Sequence, residues 1–185
     1  MSGGILLVDK PGGCTSAEVV RRLKRAHRLR SVGHLGTLDP MATGLLPLCI
    51  ESGTRIAQFL AAESKAYIGR IRFGLATDTL DVTGQTVRTS PIRAVSDAEL
   101  DEVSRGFLGD RMQVPPMYSA VKIAGRPLHE LAREGIDVER AARPIRIDFL
   151  KLRPVTSPDA EIAFEVHCTK GTYVRVLAEE IGDAL

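Results

Sequence analysis

The stretch Gly33-His34-Leu35-Gly36-Thr37-Leu38-Asp39-Pro40-Met41-Ala42-Thr43-Gly44-Leu45-Leu46 constrains this chain more than any other. Because Pro40 follows Asp39, helical backbone is disfavoured at Asp39, which must sit on an extended or turn conformation. Gly33, Gly36 and Gly44 remove side-chain bulk on either side, allowing a second molecule to approach closely or the chain to turn with positive φ. An aspartate before proline is ordinarily a turn former or a helix N-cap. Here its neighbours are Leu35, Leu38, Met41, Leu45 and Leu46, and a carboxylate buried among them without a partner would be costly. Asp39 is therefore expected either to be paired or to react.

At 185 residues with 44% hydrophobic content, the chain suffices for one domain with a substantial core. The formal net charge of +2 argues for no particular partner, so the case for one rests on where the charges lie. No acidic residue occurs between Val19 and Leu38, whereas Arg21, Arg22, Lys24, Arg25, Arg28 and Arg30 fall there beside His27 and His34. Such a run is either a solvated helix face or a phosphate-binding one, and its place next to the Asp39 loop favours phosphate. Cys14, Cys49 and Cys168 form no CxxC pair and leave an odd count, which argues against a disulfide framework or a zinc site. The apolar run Ile5 to Val8 is too short for a signal-peptide core, and no run approaches membrane-spanning length. A soluble, cytoplasmic protein is expected.

Residues 4–8 read as a buried strand ended by the turn formers Asp9-Lys10-Pro11-Gly12-Gly13. Thr15-Ser16-Ala17-Glu18 has capping-box spacing, and Val19, Val20, Leu23 and Ala26 supply an apolar stripe at helical period. Leu45 to Ile50 reads as a short strand interrupted by Pro47, and Thr54 to Ala62 as a helix burying Ile56, Phe59 and Leu60. In Lys65 to Leu75, period-two alternation puts Tyr67, Ile71, Phe73 and Leu75 on one face and Arg70 and Arg72 on the other, so Tyr67 heads for the interior or a pocket. Asp78 and Asp81 lack a third oxygen ligand and read as capping and turn residues. Ser96-Asp97-Ala98-Glu99 is a second capping box, opening a helix that buries Leu100, Val103 and Phe107.

Residues 110–144 change character, broken by Pro115, Pro116, Gly125, Pro127 and Gly135, and read as an excursion. Within it Gln113 to Lys122 is expected to be extended, and Pro127 to Glu134 a short helix stopped by Gly135. Ile145 to Leu152 and Glu161 to Cys168 read as strands joined across Pro154 to Pro158, and Val174 to Ile181 as a helix. Strands and helices mix without regular βαβ spacing, which predicts an α+β fold with a mixed, largely antiparallel sheet flanked by helices.

No GxGxxG, Walker A, HExxH or GxSxG sequence occurs. The residues GHLGTLDPMATGLLPL do, however, strongly resemble the catalytic motif of TruB-type tRNA pseudouridine synthases. Leu7-Val8-Asp9-Lys10-Pro11 with Thr15-Ser16 is similar to that family's opening segment, and Lys65-Ala66-Tyr67 with Thr77-Asp78-Thr79 and Asp81 to its second motif. Val114 to Lys122 and Leu131 to Gly135 resemble its RNA-gripping thumb, placed in the 110–144 insertion. Cys168-Thr169-Lys170-Gly171-Thr172-Tyr173-Val174-Arg175 resembles its third motif. These matches cover essentially the whole chain in order. Leu35 stands where the family usually has Thr or Gly.

The resemblance implies the pseudouridine synthase fold and an isomerase that converts uridine 55 in the T loop of tRNA to pseudouridine, after flipping the base out of the folded RNA. It implies Asp39 as the nucleophile, with the adduct at ribose C1′ or on the uracil ring left open. A cation at Arg175, two residues beyond Tyr173 on chain that is still extended, would hold Asp39 ionised. Tyr67 is expected to stack on the uracil and help remove its C5 proton, and Tyr173 to close another wall. His34 is expected against the RNA beside the extruded base, and Lys10 to pair with a phosphate or carboxylate near the site. The family's chemistry implies no cofactor and no metal, and the expected partner is the T arm of tRNA, bound by a monomer. The family pattern continues past the helix that ends here at Gly182-Asp183-Ala184-Leu185, commonly into a PUA domain, so residues 1–185 are expected to be a C-terminally shortened catalytic domain. Two rivals remain: an RNA-binding or RNA-folding module that needs every motif except Asp39, and an aspartyl-phosphate enzyme that would need magnesium.

Overall fold

The computed structural model describes residues 3–60, 64–155 and 160–185, and the chain divides into two compact units, Met1–Glu63 and Ser64–Leu185. In the first, β1 (Gly4–Lys10), α1 (Ser16–Ala26), β2 (Val32–His34), β3 (Gly44–Ile50), a 3-10 helix (Glu51–Ile56) and the single-turn α2 (Ala57–Leu60) follow in order. The strands form an antiparallel sheet of order β1-β3-β2, with Lys10 opposite Gly44 and His34 opposite Leu48.

Pro47 does not interrupt its strand, although it lies in the central one. In an antiparallel pair a residue's N–H and C=O point to the same neighbour. The Pro47 carbonyl accepts the Leu35 N–H at 3.0 Å, so only the reciprocal bond that proline cannot donate is missing. The β2 ladder ends there, and the chain leaves the sheet for the Asp39 loop. Half of the first capping box forms: the Thr15 hydroxyl accepts the Glu18 N–H at 3.1 Å, while the Glu18 carboxylate turns to Arg22 one turn later, at 3.0 Å. Two expectations fail in this unit. β1 is an edge strand whose Ile5 and Leu7 are exposed rather than buried. Of the segment expected as one helix, the described residues form a 3-10 helix running into α2, and Ile56 and Phe59 are exposed rather than buried; Ala61 and Ala62 lie outside the described residues.

The second unit runs β4 (Lys65–Arg72), β5 (Leu75–Thr77), β6 (Thr86–Thr89), α3 (Asp97–Gly106), β7 (Gly109–Gln113), β8 (Lys122–Ile123), β9 (Arg126–Pro127), α4 (Leu128–Arg133), β10 (Arg143–Pro154), β11 (Glu161–Cys168) and α5 (Val174–Ala184). Its main sheet, of order β4-β11-β10-β7, is antiparallel throughout. The core lies on one face of this sheet, where Ile147, Ile162 and Val166 meet Leu100 of α3 and Leu177 and Ile181 of α5. On β4 the alternation holds: Tyr67 is half-buried and packs against the core, as does Phe73 beyond the strand, whereas Ala66, Ile68, Arg70 and Arg72 face outward. The strand stops earlier than expected, because Gly74 at φ 79° turns the chain, and Leu75 starts β5 half exposed.

Between β7 and β10 the chain leaves the sheet for a two-stranded β8-β9 hairpin and α4. Gln113 to Lys122 is not one extended run: after β7 it turns, with the Ser119 N–H on the Met117 carbonyl at 2.9 Å. Gly135 stops α4 as expected, at φ 73°, with its own N–H on Ala132 and that of Ile136 on Leu131, each at 3.0 Å. The expected link across Pro154 to Pro158 lies partly outside the described residues. At the start of α3 the capping box is complete, the Ser96 hydroxyl accepting the Glu99 N–H while the Glu99 carboxylate accepts the Ser96 N–H at 2.9 Å. Those Ser96 bonds and the Arg93 guanidinium lower the Glu99 pKa from 4.5 to about 2.

A depressed carboxyl stabilises the fold above its unfolded pKa and loses that effect as pH falls through the folded value. Ser96→Ala is therefore expected to lower the melting temperature at neutral pH, with the gap from wild type narrowing as pH falls from about 5 to about 2; a gap constant across that range in thermal melts would contradict the assignment.

Candidate active site

Asp39 sits where the first unit's sheet opens into a loop, and main-chain bonds hold the residues on both sides of it. Its carbonyl accepts the Ala42 N–H at 3.0 Å, closing a turn with Pro40 at the position where a fixed φ helps most. Leu38, just before it, is gripped twice by the buried Ser16, whose hydroxyl donates to the Leu38 carbonyl at 3.1 Å and accepts the Leu38 N–H at 3.0 Å. Pro40, just after it, accepts the Gly13 N–H at 2.8 Å and the Lys10 ammonium at 3.2 Å.

Lys10 is fully buried, and its Nζ also donates to the carbonyls of Pro11 at 2.9 Å and Cys14 at 2.7 Å. Three donors thus meet three main-chain acceptors. Where sequence suggested a phosphate or carboxylate partner, Lys10 instead ties the turn after β1 to the Asp39 loop. His34, the last residue of β2, is half-buried, and its Nδ1 is buried without a hydrogen-bond partner among the described residues. Leu35 is buried. The cations Arg21, Arg22, Lys24, Arg25 and Arg28 are all exposed, and of these only Arg22 is ion-paired among the described residues.

In the second unit the third-motif residues converge on the start of α5. Tyr173 is the N-cap and Arg175 has helical backbone, as the helix read from Val174 to Ile181 requires and not the extended chain that its spacing from Tyr173 suggested. A cation in the first turn sits against the positive end of the helix dipole. It is compensated by acceptors: Arg175 donates to the carbonyls of Thr79 at 2.7 Å and Tyr118 at 2.9 Å, and lies 3.9 Å from the Asp81 carboxylate. Asp81 is itself held by the Thr79 hydroxyl at 2.8 Å and the Thr83 N–H at 2.9 Å, which bears out its reading as a turn residue. Burial pushes the Asp81 pKa up, but bonds from Thr83 and Thr79 and the Arg175 charge outweigh it, and the net shift is downward, leaving the group ionised.

Comparison with known proteins adds the decisive observation. Residues 24–174 match the family model described as TruB family pseudouridylate synthase (N terminal domain). The chain belongs to this family. It is 47% identical over 182 residues to tRNA pseudouridine synthase B of Tolumonas auensis and 48% identical to that of Hydrogenovibrio crunogenus, in each case over 98% of its own length. It spans 55% and 59% of those relatives, about half their length. Among solved structures it resembles a chain of a Cbf5-Nop10-Gar1 complex (TM-score 0.72, 29% identity) and one of an H/ACA RNP bound to a substrate RNA containing 2′-deoxyuridine (0.67, 26%). It covers 44% and 43% of those two chains and 98% of itself. Its antiparallel sheets and flanking helices are the pseudouridine synthase fold.

Within this TruB-family chain, sequence reading passed over Ser16 as anything but a helix start, and over Asp81 as the partner of Arg175. It also missed Gln113, for which Gly109-Asp110-Arg111-Met112 offers no apolar alternation; its burial, and so its need for partners, shows only in the fold. Among the described residues no helix is long and apolar enough to cross a membrane.

Lys10→Met is expected to destabilise the chain by about 3 kcal/mol in chemical denaturation, because it leaves buried carbonyls without a donor, and to speed amide exchange at Gly13 and Ala42. A midpoint unchanged from wild type would show that the ammonium is not what closes the loop. Asp81→Asn, which keeps the Thr83 N–H bond but removes the charge facing Arg175, is expected to lower the thermal midpoint at neutral pH with the circular dichroism unchanged; an unaltered midpoint would show that this charge contributes nothing to the fold.

Proposed function

We propose that this chain isomerises uridine 55 in the T loop of tRNA to pseudouridine, acting as a monomer in the cytoplasm and without cofactor or metal. The observation that carries the reading is the backbone of Asp39. Bonds at Leu38, at Asp39 itself and at Pro40 fix the main chain that carries one carboxylate, as a nucleophile needs if it is to meet its target without reorganisation. The names of its relatives, tRNA pseudouridine synthase B, support the same reading.

In this reaction the glycosidic bond moves from nitrogen to carbon, with no group donor and no net redox change. Asp39 attacks the extruded nucleotide, Tyr67 stacks on the uracil and helps remove its C5 proton, and Tyr173 forms a second wall. Arg175 is counted with them as a catalytic residue. His34, whose Nδ1 is buried without a partner among the described residues, fills the place the base has left. The exposed cations of α1 contact phosphates, and the excursion between β7 and β10 grips the T arm as a thumb.

Asp39→Asn is the direct test. Tritium release from 5-tritiated uridine in a T-arm transcript is expected to vanish while RNA affinity stays within about threefold. Retained release would remove Asp39 as nucleophile, and binding without release in the wild type would favour the RNA-folding module. Release unchanged by excess EDTA, with the RNA still folded, would exclude an aspartyl-phosphate enzyme. Replacing Arg21, Lys24 and Arg25 with Ala is expected to lower the salt slope of binding by about one for every phosphate that is no longer neutralised.

A further inference from the structure

We propose that Gln113 is a positioning residue for this reaction, holding Tyr173 and, through the start of α5, Arg175. The inference rests on the reading of function above and assigns a role to a side chain outside the motif residues named there. Gln113 ends β7 and is 2% exposed. Its Oε1 accepts the Tyr173 N–H at 2.7 Å and its Nε2 donates to the Tyr173 carbonyl at 3.2 Å. The partners dictate which end of the amide is which, since an N–H requires an acceptor and a carbonyl a donor. The side chain therefore imitates the backbone of a neighbouring strand, sixty residues away in sequence from the residue it clamps.

That clamp is placed where α5 has no side-chain cap among the described residues. Tyr173 is the N-cap and provides no side-chain cap of its own. The neighbouring Thr172 hydroxyl is already committed to the Thr169 carbonyl at 2.9 Å. The Tyr173 carbonyl also accepts the Leu177 N–H at 3.1 Å, so the group that Gln113 holds is the first acceptor of the helix. Two residues on, Arg175 donates to Tyr118, which follows Gln113 by five positions in the chain. The opening turn of α5 is thus fixed by its cap residue through Gln113 and by its guanidinium through Thr79 and Tyr118. The rest of the helix is anchored independently by the buried Leu177 and Ile181. Loss of Gln113 should leave the helix in place while its first turn, with the Tyr173 ring and the Arg175 α-carbon, drifts. A displacement of about 1 Å at such groups is enough to cost on the order of a hundredfold in rate.

The test uses the full 185-residue chain, a T-arm transcript carrying 5-tritiated uridine, and two variants. Gln113→Met matches the side-chain length but makes neither bond, and its kcat is expected to fall about tenfold or more with KM within about threefold and the circular dichroism of the wild type. Gln113→Glu accepts the Tyr173 N–H as a carboxylate but sets its second oxygen against the Tyr173 carbonyl; once protonated it both accepts and donates, as the amide does. Its kcat relative to wild type is therefore expected to rise at least about fivefold from pH 8 to pH 6, a return that loss of packing alone would not produce. A Gln113→Met kcat within about twofold of wild type, a flat ratio for Gln113→Glu, or unfolding of both variants overturns the role. A wild-type chain that releases no tritium overturns the functional reading and this role with it, whereas an active wild type with indifferent variants overturns the role alone.

Discussion

The buried ammonium of Lys10 is the interaction on which the first unit's site depends. A charge removed from water must be resolvated by the protein, and here three carbonyl dipoles do so, from Pro11, Cys14 and Pro40. Because these belong to the turn after β1, the approach to α1 and the Asp39 loop, satisfying one cation also sets the spacing of three segments. The pairing of Lys10 with Gly44 puts the cation at the base of that loop. A neutral side chain of similar length would fill the space and specify none of this.

Both units use a second device of the same kind, in which one buried polar side chain takes the N–H and the carbonyl of a single distant residue. Ser16 does this to Leu38, the residue before Asp39, and Gln113 to Tyr173, two residues before Arg175. In each case the clamp acts on main chain and leaves the neighbouring functional side chain to its own chemistry. Such bonds stabilise modestly, but they are costly to leave half made, so they specify a geometry more than they strengthen a fold. The remaining compensation is electrostatic: Arg175 lies at the unfavourable end of a helix dipole and is held by two carbonyls and the Asp81 carboxylate.

β4, β10 and β11 were legible because their signal is local, whereas the short strands β5 to β9 carry too few alternating positions to announce themselves. Alternation from Lys65 onward places Tyr67 on the core face as soon as the period is read, and the Ser96 capping box and the Gly135 stop follow from residues within one helical turn. The failures share a cause. Whether an apolar strand is covered depends on its place in the sheet, and β1, read as buried from Ile5 to Val8, became an exposed edge. Near Phe59 the same holds: Ile56, Phe59 and Leu60 fit a helical stripe in sequence, but Ile56 and Phe59 find nothing to cover them.

The sequence by itself determined that Asp39 would lie on a non-helical turn, since proline restricts the residue before it whatever the surroundings, and that α1 would carry Arg21, Arg22, Lys24 and Arg25 with no acidic residue after Glu18. Its motifs, in order, were enough to assign the family. Only the tertiary structure decided what Lys10, Ser16, Asp81 and Gln113 are for. Their partners lie far off in the chain or are main-chain atoms, and a hydrogen bond to a carbonyl leaves no trace in the identity of the residue that supplies it.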